Sequence, residues 1–157
     1  MRNFTKVFLV LTVVGLATVA QATEFDLNFD RLTPGIDVLT SADRDVVADT
    51  INLIKRGDHA LALTRLSSLK QQNPENSSLR ILASYALLQA GNLAGAFQEA
   101  EQAHEASNGN SYKCWFLAKV ALLNGKKELC ERELKHVKSA GDMVAEAKQL
   151  EQELAKN

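Results

Sequence analysis

The sequence predicts an all-α fold in which antiparallel helix hairpins stack on a fixed period and a last helix caps the stack. Three observations carry that expectation. Gly57, Gly91 and Gly125 stand 34 residues apart, each between two helical phrases, in LIKRGDHALAL, LLQAGNLAGAF and LLNGKKELCE. Small residues recur at fixed distances from these glycines: Thr50, Ser84 and Ala118 seven positions before, Ala62, Ala96 and Cys130 five after. Two prolines and 6% aromatic residues favour helix over a β-sandwich.

The N-terminus reads as an address rather than as structure. Arg2 and Lys6 precede an apolar run from Val7 to Ala20, and Ala20-Gln21-Ala22 puts small residues at both cleavage positions. The run is 14 residues long, short of the ~20 that span a membrane. Residues 1–22 are therefore expected to be a signal peptide, with the mature chain starting near Thr23. No basic stop-transfer flank follows to make an anchor helix, and no cysteine follows to make a lipoprotein anchor. The expected address is the bacterial periplasm or the exterior, with no stable membrane span after cleavage. With 157 residues and 46% hydrophobic content, the chain can build one domain with a core. Its formal net charge of −1 becomes about −3 once Arg2 and Lys6 leave, so nothing in the charge balance argues for nucleic acid.

Next comes EFDLNFDRL, where Phe25, Leu27 and Phe29 alternate with Asp26, Asn28 and Asp30. That alternation predicts an extended N-terminal segment over residues 23–41 with one apolar face, broken at Pro34-Gly35. Thr40 or Ser41 is the expected N-cap of the first helix, with Asp43 in its first turn. Helices are expected near 42–55, 59–72, 77–90, 93–106, 111–124 and 127–139. Their stops are Gly57, Asn73-Pro74, Gly91, Ser107-Asn108-Gly109, Gly125 and Gly141. Asp58, Ser77, Ser111 and Asp142 are the expected caps of the helices that follow. A final helix over 143–155 carries Met143, Ala147, Leu150 and Leu154 on one stripe and polar residues elsewhere, as the cap of a stack requires.

The period has a physical reason. Two helices of about 13 residues and two turns make one hairpin, and one hairpin cannot bury its own apolar face. Copies on a fixed register, 43–76, 77–110 and 111–144, bury it against one another. Small residues seven before and five after the turn meet across the two helices and let their backbones approach. In period and small-residue columns the chain resembles the tetratricopeptide repeat (TPR) family. Ala62-x3-Leu66 and Cys130-x3-Leu134 follow its A-x3-F phrase in softened form, and Pro74 takes its closing proline. The resemblance covers residues 43–144. It departs in the tryptophan column, which reads Val46, Arg80, Cys114, and in the proline column, where Asn108 and Asp142 follow Pro74. It implies a right-handed helical solenoid.

The resemblance also implies a function: a scaffold that binds a protein or peptide in a concave groove lined by the first helix of each hairpin. By column, the groove residues are Arg44, Val47, Ile51 and Lys55, then Ser78, Ile81, Tyr85 and Gln89, then Tyr112, Trp115, Lys119 and Leu122. Tyr85, Tyr112 and Trp115 are both tyrosines and the sole tryptophan of the chain, and aromatic residues on one exposed concavity are binding anchors. For Trp115, the alternative is insertion into core space beside the small Cys114. Val47 and Ile51 stand where lysine and asparagine clamp a carboxylate in some members, so an apolar or amphipathic peptide is expected, with Lys55 and Lys119 at the rim. The chain's own Phe25, Leu27 and Phe29 could fill the same groove, in the same molecule or in a neighbour.

Catalytic motifs are absent from the sequence. His59, His104 and His136 fall at unrelated helical positions without an HExxH, and no phosphate loop, GxSxG or CxxCH occurs. No catalytic residue, metal ligand or cofactor is expected. Cys114 and Cys130 leave two alternatives open. On facing helices about one turn out of step, their α-carbons come out about 10 Å apart, beyond disulfide reach, yet an exported chain meets an oxidising compartment. A thiol or redox activity of this pair is the competing class of function, and self-association through the N-terminal segment is a third.

Overall fold

The computed structural model describes residues 26–107 and 109–156; the expected signal peptide, residues 1–22, and Phe25 lie outside them. Among the described residues there are eight α-helices and no strand. They run α1 Thr33–Asp37, α2 Ser41–Lys55, α3 His59–Gln72, α4 Ser77–Gln89, α5 Leu93–Glu105, α6 Ser111–Leu123, α7 Lys127–Ala140 and α8 Val144–Leu154. Each helix from α2 to α7 packs on its neighbours in sequence, and α8 covers α7 and the edge of α6.

The 34-residue period is written in the backbone. Gly57, Gly91 and Gly125 have φ of 86°, 78° and 72°, the left-handed region open to glycine. Each donates to the carbonyl three residues back, at 3.0, 2.9 and 2.9 Å. The residue after each glycine donates five back: Asp58 to Leu53 at 2.9 Å, Asn92 to Leu87 at 2.8 Å and Lys126 to Ala121 at 2.9 Å. This is the Schellman stop, repeated three times, and it satisfies carbonyls that the helix end would leave orphaned.

The small-residue columns lie where the hairpins close. Thr50, Ser84, Ala118, Ala62, Ala96 and Cys130 are all fully buried. In the central hairpin the two columns touch, since the Ser84 hydroxyl donates to the Ala96 carbonyl at 2.7 Å. The caps fall one residue from their expected places. Asn76 and Asn110, not Ser77 and Ser111, accept from the first-turn amides of α4 and α6. Asn92 caps α5, Asp58 makes no side-chain cap, and Met143 rather than Asp142 precedes α8. Thr40 caps α2, accepting from the Asp43 amide at 3.1 Å.

The N-terminal segment departs from the extended expectation. Residues 29–32 form a 3-10 turn and 33–37 the short helix α1. Asn28 starts the turn by accepting from the Asp30 amide at 3.1 Å. Pro34 sits in the first turn of α1, where its missing N–H would have had no partner. Leu27, Leu32 and Leu39 are buried and tie the segment to the core. No helix among the described residues is long and apolar enough to cross a membrane.

Candidate functional site

The first helices of the hairpins, α2, α4 and α6, present one face, and residues 26–39 of the same chain lie along it. Side-chain donors reach the main-chain carbonyls of this segment in order. Tyr112 Oη donates to Asn28 O at 3.2 Å, Ser78 Oγ to Leu32 O at 3.2 Å and Asn76 Nδ2 to Gly35 O at 2.6 Å. Arg44 donates to Asp37 O at 3.0 Å and to Leu39 O at 3.1 Å. Its guanidinium thus satisfies carbonyls at the end of α1, where the helix dipole also favours a cation.

The predicted groove residues divide into three groups. Val47 and Ile81 are core, and Ile51 is half-buried against the core. Arg44, Ser78, Tyr85 and Tyr112 hold the N-terminal segment, and Lys55 and Gln89 support it. Phe29 meets Tyr85 edge to face, centroids 6.1 Å apart, and Lys55 Nζ lies 5.0 Å from the centre of the Phe29 ring. Tyr85 is hydrogen-bonded to the Leu27 backbone and to Gln89. The expectation that the tyrosines are exposed anchors is corrected: Tyr85 is 8% and Tyr112 5% exposed, because the chain's own segment covers them. Burial pushes both phenols above their ordinary pKa.

Trp115, Lys119 and Leu122 line a cleft of about 630 Å³ between α6, α8 and the start of the segment. Trp115 does not vanish into the core. It is half-buried and stacks on Tyr112 at 5.6 Å with the rings 24° apart. Lys119 pairs with Glu153 of α8 across the cleft. Asp26, Arg31 and Glu146 add charges of both signs to an apolar floor that includes Leu122 and Leu150. That volume and lining suit one or two side chains of a peptide.

A second constellation lies elsewhere, where α5, α6 and α7 meet. His104, Cys114 and Glu133 bring one imidazole nitrogen, the sulfur and one carboxylate oxygen within 4.8 Å of one another. His104 Nε2 is 3.1 Å from Glu133 Oε2, Arg132 is 3.0 Å from Oε1, and the Cys114 sulfur lies within 4.8 Å of the imidazole nitrogen and a carboxylate oxygen. Motif spacing alone leaves His104 unrelated to the other histidines and predicts no metal ligand, whereas the period sets 104, 114 and 133 each 34 residues after 70, 80 and 99.

Cys114 and Cys130 are both buried free thiols. Burial pushes Cys114 up, with the Glu133 charge adding to it, and pushes Cys130 up to about 11. Both shifts run against the low pKa that a redox or nucleophilic thiol needs.

A solved structure of a MamA mutant, in which glutamate replaces an arginine, matches with a TM-score of 0.50 at 16% identity, over 88% of this chain and 95% of that one. No family model and no curated protein matches the chain. At that identity the likeness speaks to fold alone, and the fold is a TPR-like helical solenoid.

Proposed function

We propose that this chain is an exported, non-enzymatic scaffold that binds a segment of a partner protein on the face of α2, α4 and α6. The observation that carries the reading is that this face already holds one peptide segment, its own. It does so mainly through side-chain donors on main-chain carbonyls, with pockets for Leu27 and Leu32. Main-chain hydrogen bonding supplies affinity that tolerates different sequences, and pockets supply the choice among them. The cleft beside Trp115 adjoins that face, and the partner segment seats there, an aromatic or aliphatic residue on Trp115 and charges towards Arg31 and Glu146. The leader-like N-terminus supports an address in the periplasm or outside the cell.

Selection of displayed peptides against the purified protein tests this. Enriched peptides are expected to share an apolar residue flanked by charges, and Trp115→Ala is expected to weaken them at least about tenfold, as loss of a hot-spot aromatic does. No enrichment, or peptides that bind the variant equally well, would sink the reading. A second reading is exchange of the segment between two copies, since a neighbour's residues 26–39 would find the same donors. It predicts a mass that rises with concentration and falls to the monomer when residues 23–32 are deleted.

A further inference from the structure

We propose that His104, Cys114 and Glu133 bind one divalent transition-metal ion of the Zn2+ class. The argument is a comparison within the chain. One period upstream, the same three register positions hold Lys70, Arg80 and Glu99. There two cations hold the carboxylate: Lys70 pairs with Oε1, and the Arg80 guanidinium lies 3.6 Å from Oε2. In the next hairpin the carboxylate is kept and both cations are replaced. His104 takes the place of Lys70, and Cys114 takes the place of Arg80.

The retained carboxylate is also deeper. Glu133 is 2% exposed, against 19% for Glu99. A buried carboxylate needs counter-charge and hydrogen bonds. Arg132 provides some at Oε1 from the solvent side of α7, which leaves Oε2 3.1 Å from the imidazole and without a hydrogen bond. Imidazole nitrogen, thiolate sulfur and carboxylate oxygen are the donor types zinc takes, whereas calcium and magnesium ask for oxygen alone. The donor atoms already lie within 4.8 Å of one another. Tetrahedral zinc, with bonds of about 2.0–2.3 Å, holds its donors about 3.3–3.8 Å apart, so closure needs side-chain shifts of about 1 Å. His104 is 27% exposed and marks the way in, with the fourth position left for water. On binding, the Cys114 thiol gives its proton to solvent. Thiolate and carboxylate then carry two negative charges, and the ion restores the double positive charge that Lys70 and Arg80 provide upstream.

Titration of the purified, untagged protein with Co2+ as a spectroscopic probe tests the site. A thiolate-to-cobalt charge-transfer band is expected, saturating at one ion per chain and displaced by Zn2+. It should persist in Cys130→Ser and vanish in Cys114→Ser. Glu133→Gln should weaken binding by more than the about 10–100-fold typical of an outer-shell partner. The double variant His104→Lys/Cys114→Arg rebuilds the upstream triad, so it should keep wild-type helicity and bind no metal. Alkylation gives an independent readout in the unaltered chain, with Zn2+ expected to slow labelling of Cys114 and leave Cys130 unchanged. Absence of the band in wild type, its survival in Cys114→Ser, or equal labelling of Cys114 with and without Zn2+ would each overturn the proposal.

Discussion

Gly35 shows how much one residue decides. A Cβ added there would lie 2.2 Å from Ser78 Oγ and 2.9 Å from its Cβ, and that hydroxyl is already committed to the Leu32 carbonyl. Gly35→Ala should therefore lift residues 26–39 off α4, at a cost of about 1–3 kcal/mol as for other overpacked contacts. Faster amide exchange in that segment, with α3 and α5 unchanged, checks it, and adding Ser78→Gly should restore protection only in part, since it relieves the clash but also removes the bond to Leu32. Cys130 makes a second prediction. Its folded pKa is raised from 9.0 to about 11 by burial, so the native state holds the proton longer than the unfolded chain does. Its contribution is complete below pH ~9 and lost as pH rises through ~11, up to about 3 kcal/mol at 1.36 kcal/mol per unit. Denaturant melts at pH 8 and pH 11 should show a larger loss for wild type than for Cys130→Ala. At this scale the sequence was uneven to read. The small columns were legible because only small side chains let helices meet. The caps were displaced by one because asparagine and serine both cap well, and backbone placement chose the asparagines. His104, Cys114 and Glu133 were hidden because motif spacing assumes ligands on one element, and these sit on three.

At the scale of elements, α2 to α7 were legible because each ends within four residues of a glycine with positive φ or at Asn73-Pro74. The N-terminal segment was not. The apolar alternation predicts an extended segment, yet no strand among the described residues offers a partner, and the unpaired amides turn to local 3-10 and helical bonding instead. What fixes the segment is a series of donors spread over α2, α4 and α6, which no local window contains. Arg44→Ala removes the two bonds at the end of α1, and Tyr112→Phe removes the one at Asn28. Each should cost about 1–2 kcal/mol, read as faster exchange of the 26–39 amides in native protein. Helix content should stay unchanged in both.

For the whole molecule, stacking explains why the tyrosines are buried while Trp115 stays half-buried at the cleft. The columns correctly place Tyr85, Tyr112 and Trp115 on one face, but they cannot show that the chain's own N-terminus runs along two of the three. That leaves the face in two parts, a seat filled in cis and a cleft beside it whose wall carries the single tryptophan of the chain. Trp115 is thus a built-in reporter of the proposed binding seat. The decisive measurement is its emission during titration with a selected peptide, with binding followed in parallel by anisotropy of the labelled peptide. A saturable change in Trp115 emission, together with reduced quenching by acrylamide, tracking the anisotropy curve, is the predicted result. Peptide that binds by anisotropy while Trp115 emission and quenching stay flat would place the binding seat elsewhere on the molecule and contradict the account.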